Sequence, residues 1–510
     1  AMVGLVTDTG ILLIEYGKVK RGVDAAAVAA AQQYRLSGSV IDKNALTNAA
    51  KNFLQLNQSS DITSVTIHSC EDSAPDRPAI CNPDPVGHPN DNRKLVEVIA
   101  SKKVNFGFLR VIGIQSTTVT ANSTGEAATI DLVMVIDTSG SMAYETASGG
   151  ANAPGNDPKE CNKTNTCQPM RVVKDTALDF LKTLYFPYDR VSIVTMTGWK
   201  DRNPHEILAL TSSKAAITAA INGIKVFEPR DCDPSNILPG TCLDYQSGIF
   251  SGAKCQAYEN SMNSPDLNVK ALADPSSCPS SNVGGALDLA RVAFQEDPAH
   301  TRLDAFWVVV ALLGGPANAT DVTDPANYPN GFCPANTWLP SLQVNIPSQL
   351  PWCLDRSPSV RHADTSLISY TNPYYTGPGS PLKYNITLYD ADDYARDMAD
   401  NLAKSISGEG VTIFTIGLGS QIRSPKFSDE FYPDGITKIP LAESLLQYIA
   451  ECAGENIQVI TYLSTTTHNC TDPGVPSVIN HGQYFFAPTS TSLGDIFDRI
   501  AKNIATKISQ

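Results

Sequence analysis

The 510-residue chain has few basic residues, with 38 Lys and Arg against 52 Asp and Glu and a formal net charge of −14. The basic residues form no stripe along the sequence. Because proteins bind phosphate backbones through clustered Lys and Arg, nucleic acid is disfavoured as a partner. Acidic loops suit cations and solubility instead.

The sequence also lacks the motifs of common catalytic sites. There is no Gly-x-Ser-x-Gly elbow around its candidate serines, no Walker loop and no Gly-rich dinucleotide turn. Its seven His are scattered without a recognisable partner pattern. We therefore expect a protein that is not an enzyme.

Long apolar runs are scarce as well. Residues 1–34 are apolar up to Ile14 and then Ala-rich, which predicts one long helix. The apolar part is shorter than the ~20 residues that a membrane span needs, and Thr7, Asp8 and Thr9 interrupt it. Two interpretations are open: an amphipathic helix packed on its own domain, or a helix that packs with copies of itself.

The twelve cysteines include no pair separated by two residues, which makes zinc a poor alternative to disulfides. Most lie close in sequence to another cysteine, which indicates locally stapled loops and an oxidising, extracellular compartment. Six Asn-x-Ser/Thr sequons, beginning at Asn57, Asn122, Asn162, Asn318, Asn385 and Asn469, are compatible with glycosylation. Proximity suggests the pairs Cys70 and Cys81, Cys161 and Cys167, Cys232 and Cys242, Cys255 and Cys278, Cys333 and Cys353, and Cys452 and Cys470.

A chain of this length exceeds one ordinary hydrophobic core, so we expect two or more domains or large insertions. In residues 1–125, the long helix is followed by strand-like alternation at 62–68, 95–104 and 108–125. This order predicts a pilin-like segment, a long helix with a small antiparallel sheet.

In residues 126–510, strands alternate with helices, which predicts an α/β fold with a doubly wound parallel sheet. Three segments without strong periodicity, at about 143–169, 228–280 and 316–390, interrupt the alternation and carry cysteines. We interpret them as disulfide-stapled insertions. The predicted elements are strands 129–137, 190–196, 306–313, 411–418 and 483–486, and helices 170–185, 213–224, 283–294, 392–406, 441–453 and 491–504.

The most specific motif is Asp-Thr-Ser-Gly-Ser-Met, residues 137–142, directly after the first strand of this series. The carboxylate of Asp137 and the hydroxyls of Ser139 and Ser141 can point at one position, and hard cations prefer such oxygen ligands. The alternative is a retained turn in which both serines bond backbone groups.

The motif resembles the metal-ion-dependent adhesion site of von Willebrand factor A domains, and the likeness spans about residues 127–510. The segment SSNVGGALDLA is similar to the family's Thr-Asn loop and implies Ser281 as a third hydroxyl ligand. The resemblance implies a divalent cation, Mg²⁺ or Ca²⁺. Gly314 stands where the family usually has a second acid, so the site is incomplete unless Asp321 or Asp324 substitutes.

The N-terminal segment resembles the start of tight-adherence (Tad) pseudopilins, in its Asp-x-Gly and its Asp-Ala-Ala-Ala run at 24–27. The segment LRVIGIQSTTVTANSTGEA is similar to that family's closing strand. The family usually has a longer apolar stretch before the Asp-x-Gly, so we expect a removed leader or a truncation. If a leader was removed, Asp8 or Glu15 is a candidate to neutralise the terminal amine of a neighbouring subunit.

Together these resemblances imply an extracellular structural and adhesive subunit of a bacterial pilus. Its helix would contact copies of itself or other pilus subunits, its A domain would bind a host or surface ligand, and it would meet a membrane only during assembly. The alternative is an unpolymerised cell-surface adhesin that binds a partner through Asp137, Ser139 and Ser141.

Overall fold

The computed structural model describes most of the chain outside its longer loops. The described ranges are residues 2–36, 42–57, 62–81, 94–143, 158–198, 203–228, 281–295, 301–302, 305–321, 357–363, 367–372, 382–387, 389–405, 410–425, 428–455, 457–470 and 480–508.

The N-terminal module, which we define as the described part of residues 2–127, packs a long helix on a three-stranded antiparallel sheet in the order β1-β2-β3. Along β2, the alternate residues Val96, Val98 and Ala100 are buried, as expected for a strand with one covered face. The small residues of α1 allow close approach, and a Cβ atom at Gly125 would lie 2.2 Å from the Ala27 carbonyl oxygen. The elements are α1 (Met2–Leu36), α2 (Lys43–Asn57), β1 (Ile62–Ser69), β2 (Lys94–Asn105) and β3 (Ser116–Ala127).

The structure of this module differs from the predicted one at two places. The helix α2 was not predicted, because Asn and Lys residues interrupt its apolar pattern and only Leu46, Ala50 and Leu54 enter the core. The strand predicted at 108–125 begins only at Ser116. Before it, Leu109–Ile112 form a 3₁₀ turn that ends at Gly113, whose φ of 94° favours glycine.

The second part of the chain contains a six-stranded sheet in the order β13-β10-β7-β4-β5-β6, in which only β6 is antiparallel to its neighbour. This arrangement confirms the predicted α/β class with a mostly parallel sheet. The edge strand β6 was not predicted; its apolar run is only four residues long, from Ile207 to Leu210, and the strand is only half buried. The strands are β4 (Ile130–Ile136), β5 (Arg190–Thr195), β6 (His205–Thr211), β7 (Phe306–Leu313), β10 (Thr412–Leu418) and β13 (Tyr484–Ala487).

Helices cover both faces of this sheet. Leu132 and Met134 of β4 face one apolar cluster, whereas Val133 and Val135 face the other, as the pleat requires. The predicted helix 441–453 is helical to Cys452, but after Gln447 it widens from an α-helix into a π-helical turn. The helices are α3 (Pro158–Thr164), α4 (Met170–Phe180), α5 (Lys214–Gly223), α6 (Val283–Gln295), α7 (Ala391–Ala403), α8 (Leu441–Gln447) and α9 (Leu493–Ile508).

The predicted insertions are described only in part. Residues 229–280 and the cysteines at 232, 242, 255, 278, 333 and 353 lie outside the described residues. The last insertion contributes an antiparallel hairpin, β8 (Leu367–Asn372) and β9 (Leu382–Thr387). A smaller pair follows α8, formed by β11 (Thr461–Tyr462) and β12 (His468–Asn469).

Three of the predicted disulfides are confirmed: Cys70–Cys81, Cys161–Cys167 and Cys452–Cys470. His468 lies beside the third, close enough for three ligand atoms to share a metal ion. Both sulfurs are already bonded to each other, so this group offers no thiolate.

The N-terminal module joins the sheet through a buried ion pair. Lys94, the first residue of β2, lies 2.6 Å from Asp189, and both side chains are 1% exposed. Asp189 also accepts hydrogen bonds from the backbone N–H groups of Ile130 and Tyr185. The stacked rings of Tyr185 and Tyr188 belong to the apolar cluster of the module. Among the described residues, no helix has the length and apolar character of a membrane span.

Candidate metal centre

The candidate site lies where the sheet reverses its winding direction. From β4 the chain continues to β5 and β6 on one side, and later to β7, β10 and β13 on the other. In doubly wound sheets, ligands bind at the carboxyl ends of the strands at this switch point. Asp137 follows β4 and Gly314 follows β7, so the two residues flank the crevice.

The carboxylate of Asp137 is fully buried. Its Oδ1 accepts from the Ser139 N–H at 2.8 Å, and its Oδ2 accepts from the Gly314 N–H at 2.9 Å. Burial raises the pKa of Asp137, and the hydrogen bonds from Gly314, Ser139 and Ser281 act against that rise. A buried carboxylate of this kind is poised to accept a positive charge.

Three hydroxyl groups surround this carboxylate. The Oγ atoms of Ser139 and Ser141 are 2.8 Å apart, and the side chain of Ser281 hydrogen-bonds to Asp137. Ser139 and Ser281 are buried, whereas Ser141 is exposed. The structure therefore brings the four predicted residues together and leaves one of them, Ser141, exposed at the surface.

The supporting residues were missed by the sequence analysis. The hydroxyl of Thr138 donates to the Thr197 carbonyl at 2.8 Å, which ties the loop to the end of β5. Asn318 accepts from the Ser281 N–H at 2.6 Å and so fixes the third hydroxyl. The sequence marked Asn318 only as the start of a glycosylation sequon, whereas in the structure its side-chain oxygen accepts the hydrogen bond from Ser281.

The absent second acid leaves space at the site. A Cβ atom at position 314 would lie 3.2 Å from Ser141 Oγ and 3.4 Å from Asp137 Oδ2. Asp321, one predicted substitute, is held elsewhere: its carboxylate accepts from Asn282 Nδ2 at 2.6 Å and from the Tyr394 hydroxyl at 3.1 Å. The other substitute, Asp324, lies outside the described residues.

The donor set fits a hard divalent cation, because a carboxylate and three hydroxyls supply oxygen ligands beside an open position. The alternative of serines bonded only to backbone groups does not describe the site, since the hydroxyls contact each other and the carboxylate. With one carboxylate, we expect weaker affinity than two would provide.

The two candidate acids of α1 have partners within their own chain. Asp8 is 1% exposed, and it accepts from the backbone N–H groups of Gly107 at 2.8 Å, Phe108 at 3.0 Å and Leu109 at 2.7 Å. Glu15 lies 2.6 Å from Lys102 and 2.7 Å from Lys18. These contacts pair the buried Asp8 and the half-buried Glu15 without the amine of a neighbouring subunit.

No protein-family model and no curated protein sequence matches the chain. The solved structures that it resembles include the PilB minor pilin of Streptococcus sanguinis, at 14% identity over 83% of this chain and 77% of that one, with a TM-score of 0.33. The pilus adhesin SpaC of Lactobacillus rhamnosus GG is 12% identical over 81% of this chain and 33% of its own, with a TM-score of 0.33. The von Willebrand factor domain of the type V pili tip protein Mfa5 of Porphyromonas gingivalis is 17% identical over 75% and 97%, with a TM-score of 0.31. At these values the likenesses carry no argument about function.

Proposed function

We propose that this chain is an extracellular, non-enzymatic adhesive subunit of a bacterial surface filament of the tight-adherence type. Its N-terminal helix would pack against copies of itself or other subunits, and its sheet domain would display the cation site to a surface ligand. The observation that carries the proposal is the placement of these two features at opposite poles of the molecule.

The strand directions define the poles. Strand β2 begins at Lys94, beside the sheet domain, and ends at Asn105, beside the start of α1. Twelve extended residues cover roughly 40 Å. Strand β4 begins at the same junction and ends at Asp137, so the candidate site points away from α1.

The chemistry of the site supports ligand binding. When bound, a divalent cation would supply positive charge and an open coordination position for an acidic group of the partner. Asp137, Ser139, Ser141 and Ser281 would hold it, and Thr138 and Asn318 would keep their loops in place. Ser141, which is exposed, would meet the partner first.

The proposed adhesive role is tested by measuring how strongly the full chain binds to a surface, first with Mg²⁺ present and then with a chelator added. We expect binding that the chelator removes and that Asp137→Asn abolishes. The matched control, Asp179→Asn, changes an exposed carboxylate that pairs with Lys182 on the surface. Binding that survives both the chelator and Asp137→Asn would rule out a cation-dependent adhesin.

The assembly part is tested by electron microscopy of native material with and without chelator. Filaments whose N-terminal helices cluster on an axis would support a structural subunit. Dispersed single particles with intact cation-dependent binding would instead support the second candidate, an unpolymerised adhesin.

A further inference from the structure

The segment directly after β7 contacts the candidate metal centre at more than one point. We call residues 314–321 the clamp. The clamp begins with the Gly314 N–H, which donates to Asp137. Further along, Asn318 bonds both backbone groups of Ser281: its side-chain oxygen accepts from the Ser281 N–H at 2.6 Å, and its own N–H donates to the Ser281 carbonyl at 3.2 Å. One short segment therefore contacts both the carboxylate and the third hydroxyl residue of the site.

The last residue of the clamp, Asp321, holds the residue next to Ser281. Its Oδ1 accepts from Asn282 Nδ2 at 2.6 Å, and Asn282 Oδ1 accepts from the Gly285 N–H at 2.9 Å. A Cβ atom at Gly285 would lie 2.5 Å from Asp321 Oδ2, which shows how closely the carboxylate approaches the first turn of α6. Because Asn282 is 2% exposed and both ends of its amide are bonded, its side chain has one orientation.

The other oxygen of Asp321 is fixed by α7. The Tyr394 hydroxyl donates to Asp321 Oδ2 at 3.1 Å, and Tyr394 is buried. The two helices are in close contact here, since a Cβ atom at Gly284 of α6 would lie 2.4 Å from Tyr394 Cδ1. Among the described residues, Asp321 is bonded by neutral side chains and forms no ion pair. These contacts fix the direction of the carboxylate without neutralising its charge.

We propose that Asp321 is a positioning residue for the cation site and that Tyr394 makes α7 a support of the same site. Asp321 acts through Asn282, whose fixed side chain keeps the neighbouring Ser281 directed at Asp137. Groups that orient metal ligands without touching the metal typically change its affinity by about tenfold or more. The inference rests on the proposed function, because it requires a cation at Asp137.

The test is calorimetric titration of the full chain with Mg²⁺. Asp321→Ala removes the contact with Asn282 and should weaken the Mg²⁺ affinity about tenfold. Asp321→Asn removes the charge but keeps an oxygen that accepts from Asn282, so its affinity should stay close to that of the wild-type chain. Tyr394→Phe removes one hydroxyl and should weaken the affinity less than Asp321→Ala does. The matched control is Asp288→Ala, which removes a carboxylate of α6 that pairs with Arg291 and should leave the affinity unchanged.

A second measurement needs no cation. The N–H groups of Ser281 and Gly285 are hydrogen-bonded, so their hydrogen exchange reports how firmly the loop is held. Without Mg²⁺, both should exchange faster in Asp321→Ala and unchanged in Asp288→Ala. Because Asp321 is exposed, the melting temperature of Asp321→Ala without Mg²⁺ should change little.

Two results would overturn the inference. The first is an unchanged Mg²⁺ affinity in Asp321→Ala when the wild-type chain binds Mg²⁺. The second is an equal loss of affinity in Asp321→Ala and Asp321→Asn, which would assign the effect to charge instead of position. A wild-type chain that binds no Mg²⁺ would refute the proposed cation site itself, and hydrogen exchange would then decide whether Asp321 positions the Ser281 loop.

Discussion

At the scale of single residues, Asp137 is the residue on which our proposal of cation binding to the sheet domain depends. Its carboxylate is buried among hydroxyls and N–H groups, and no Lys or Arg of the described residues forms an ion pair with it. A buried charge without a partner charge is costly, so a bound cation should stabilise the folded state.

We expect Mg²⁺ to raise the melting temperature of the wild-type chain. When the Mg²⁺ concentration is a hundred times the dissociation constant, the free energy of unfolding should increase by about 2.7 kcal/mol. Asp137→Asn should abolish this response, because the neutral amide removes the charge that attracts the cation. Thermal denaturation with and without Mg²⁺ measures both, with Asp179→Asn as the surface control. An equal rise in Asp137→Asn would place the stabilising cation elsewhere.

Gly314→Asp should restore a second acid to the site. The new Cβ would lie 3.4 Å from Asp137 Oδ2, so without a cation the repulsion should lower the free energy of unfolding by about 1–3 kcal/mol. With Mg²⁺ the added charge should raise the affinity about tenfold, as measured by calorimetric titration. Gly315→Asp is the matched control, because a Cβ there has no neighbour within 4 Å.

At the scale of elements, Asp8 connects α1 to the turn between β2 and β3. Burial would raise the pKa of Asp8, but hydrogen bonds from Leu109, Gly107 and Phe108 hold the pKa below its ordinary value. An acid with a lowered pKa stabilises the fold above its unfolded-state pKa, near 4, and loses this contribution as the pH falls through the folded value.

Asp8→Asn should therefore loosen the turn between β2 and β3 at neutral pH. The neutral amide is a weaker acceptor than the carboxylate for the hydrogen bonds from the three N–H groups. Hydrogen exchange at Gly107, Phe108 and Leu109 should become faster, and the wild-type chain should show the same change only below about pH 4. Asp24→Asn, which removes an exposed ion pair with Lys20, should leave hydrogen exchange in the turn between β2 and β3 unchanged. If the amides of Gly107, Phe108 and Leu109 stayed protected in Asp8→Asn, the turn would be stable without the Asp8 carboxylate.

At the scale of the whole molecule, the buried Lys94–Asp189 pair joins the N-terminal module to the sheet. Burial raises the pKa of Asp189, and Lys94 is the main opposing influence. Lys94→Met leaves a buried carboxylate without its cation and should cost about 3–5 kcal/mol. Lys182→Met, which breaks an exposed pair, should cost about 1 kcal/mol or less.

Scanning calorimetry measures this coupling. We expect one transition for the wild-type chain and two for Lys94→Met, because the module would then unfold before the sheet. A single, merely shifted transition in Lys94→Met would show that the Tyr185 and Tyr188 contacts are enough to join the parts.

The sequence by itself determined the features that depend on local pattern. Apolar strand segments that alternate with helical segments along the chain specified the parallel strands. Cysteines close in sequence specified three disulfides, and the residues directly after β4 specified the turn that carries Asp137. Each of these is encoded within a short stretch of chain, where spacing and side-chain chemistry are sufficient.

Only the tertiary structure decided what distant residues do together. Asp8 meets amides about a hundred positions away, and Gly314 and Asn318 reach the Asp137 site across the sheet. These contacts depend on strand order and helix placement, which a local pattern does not encode.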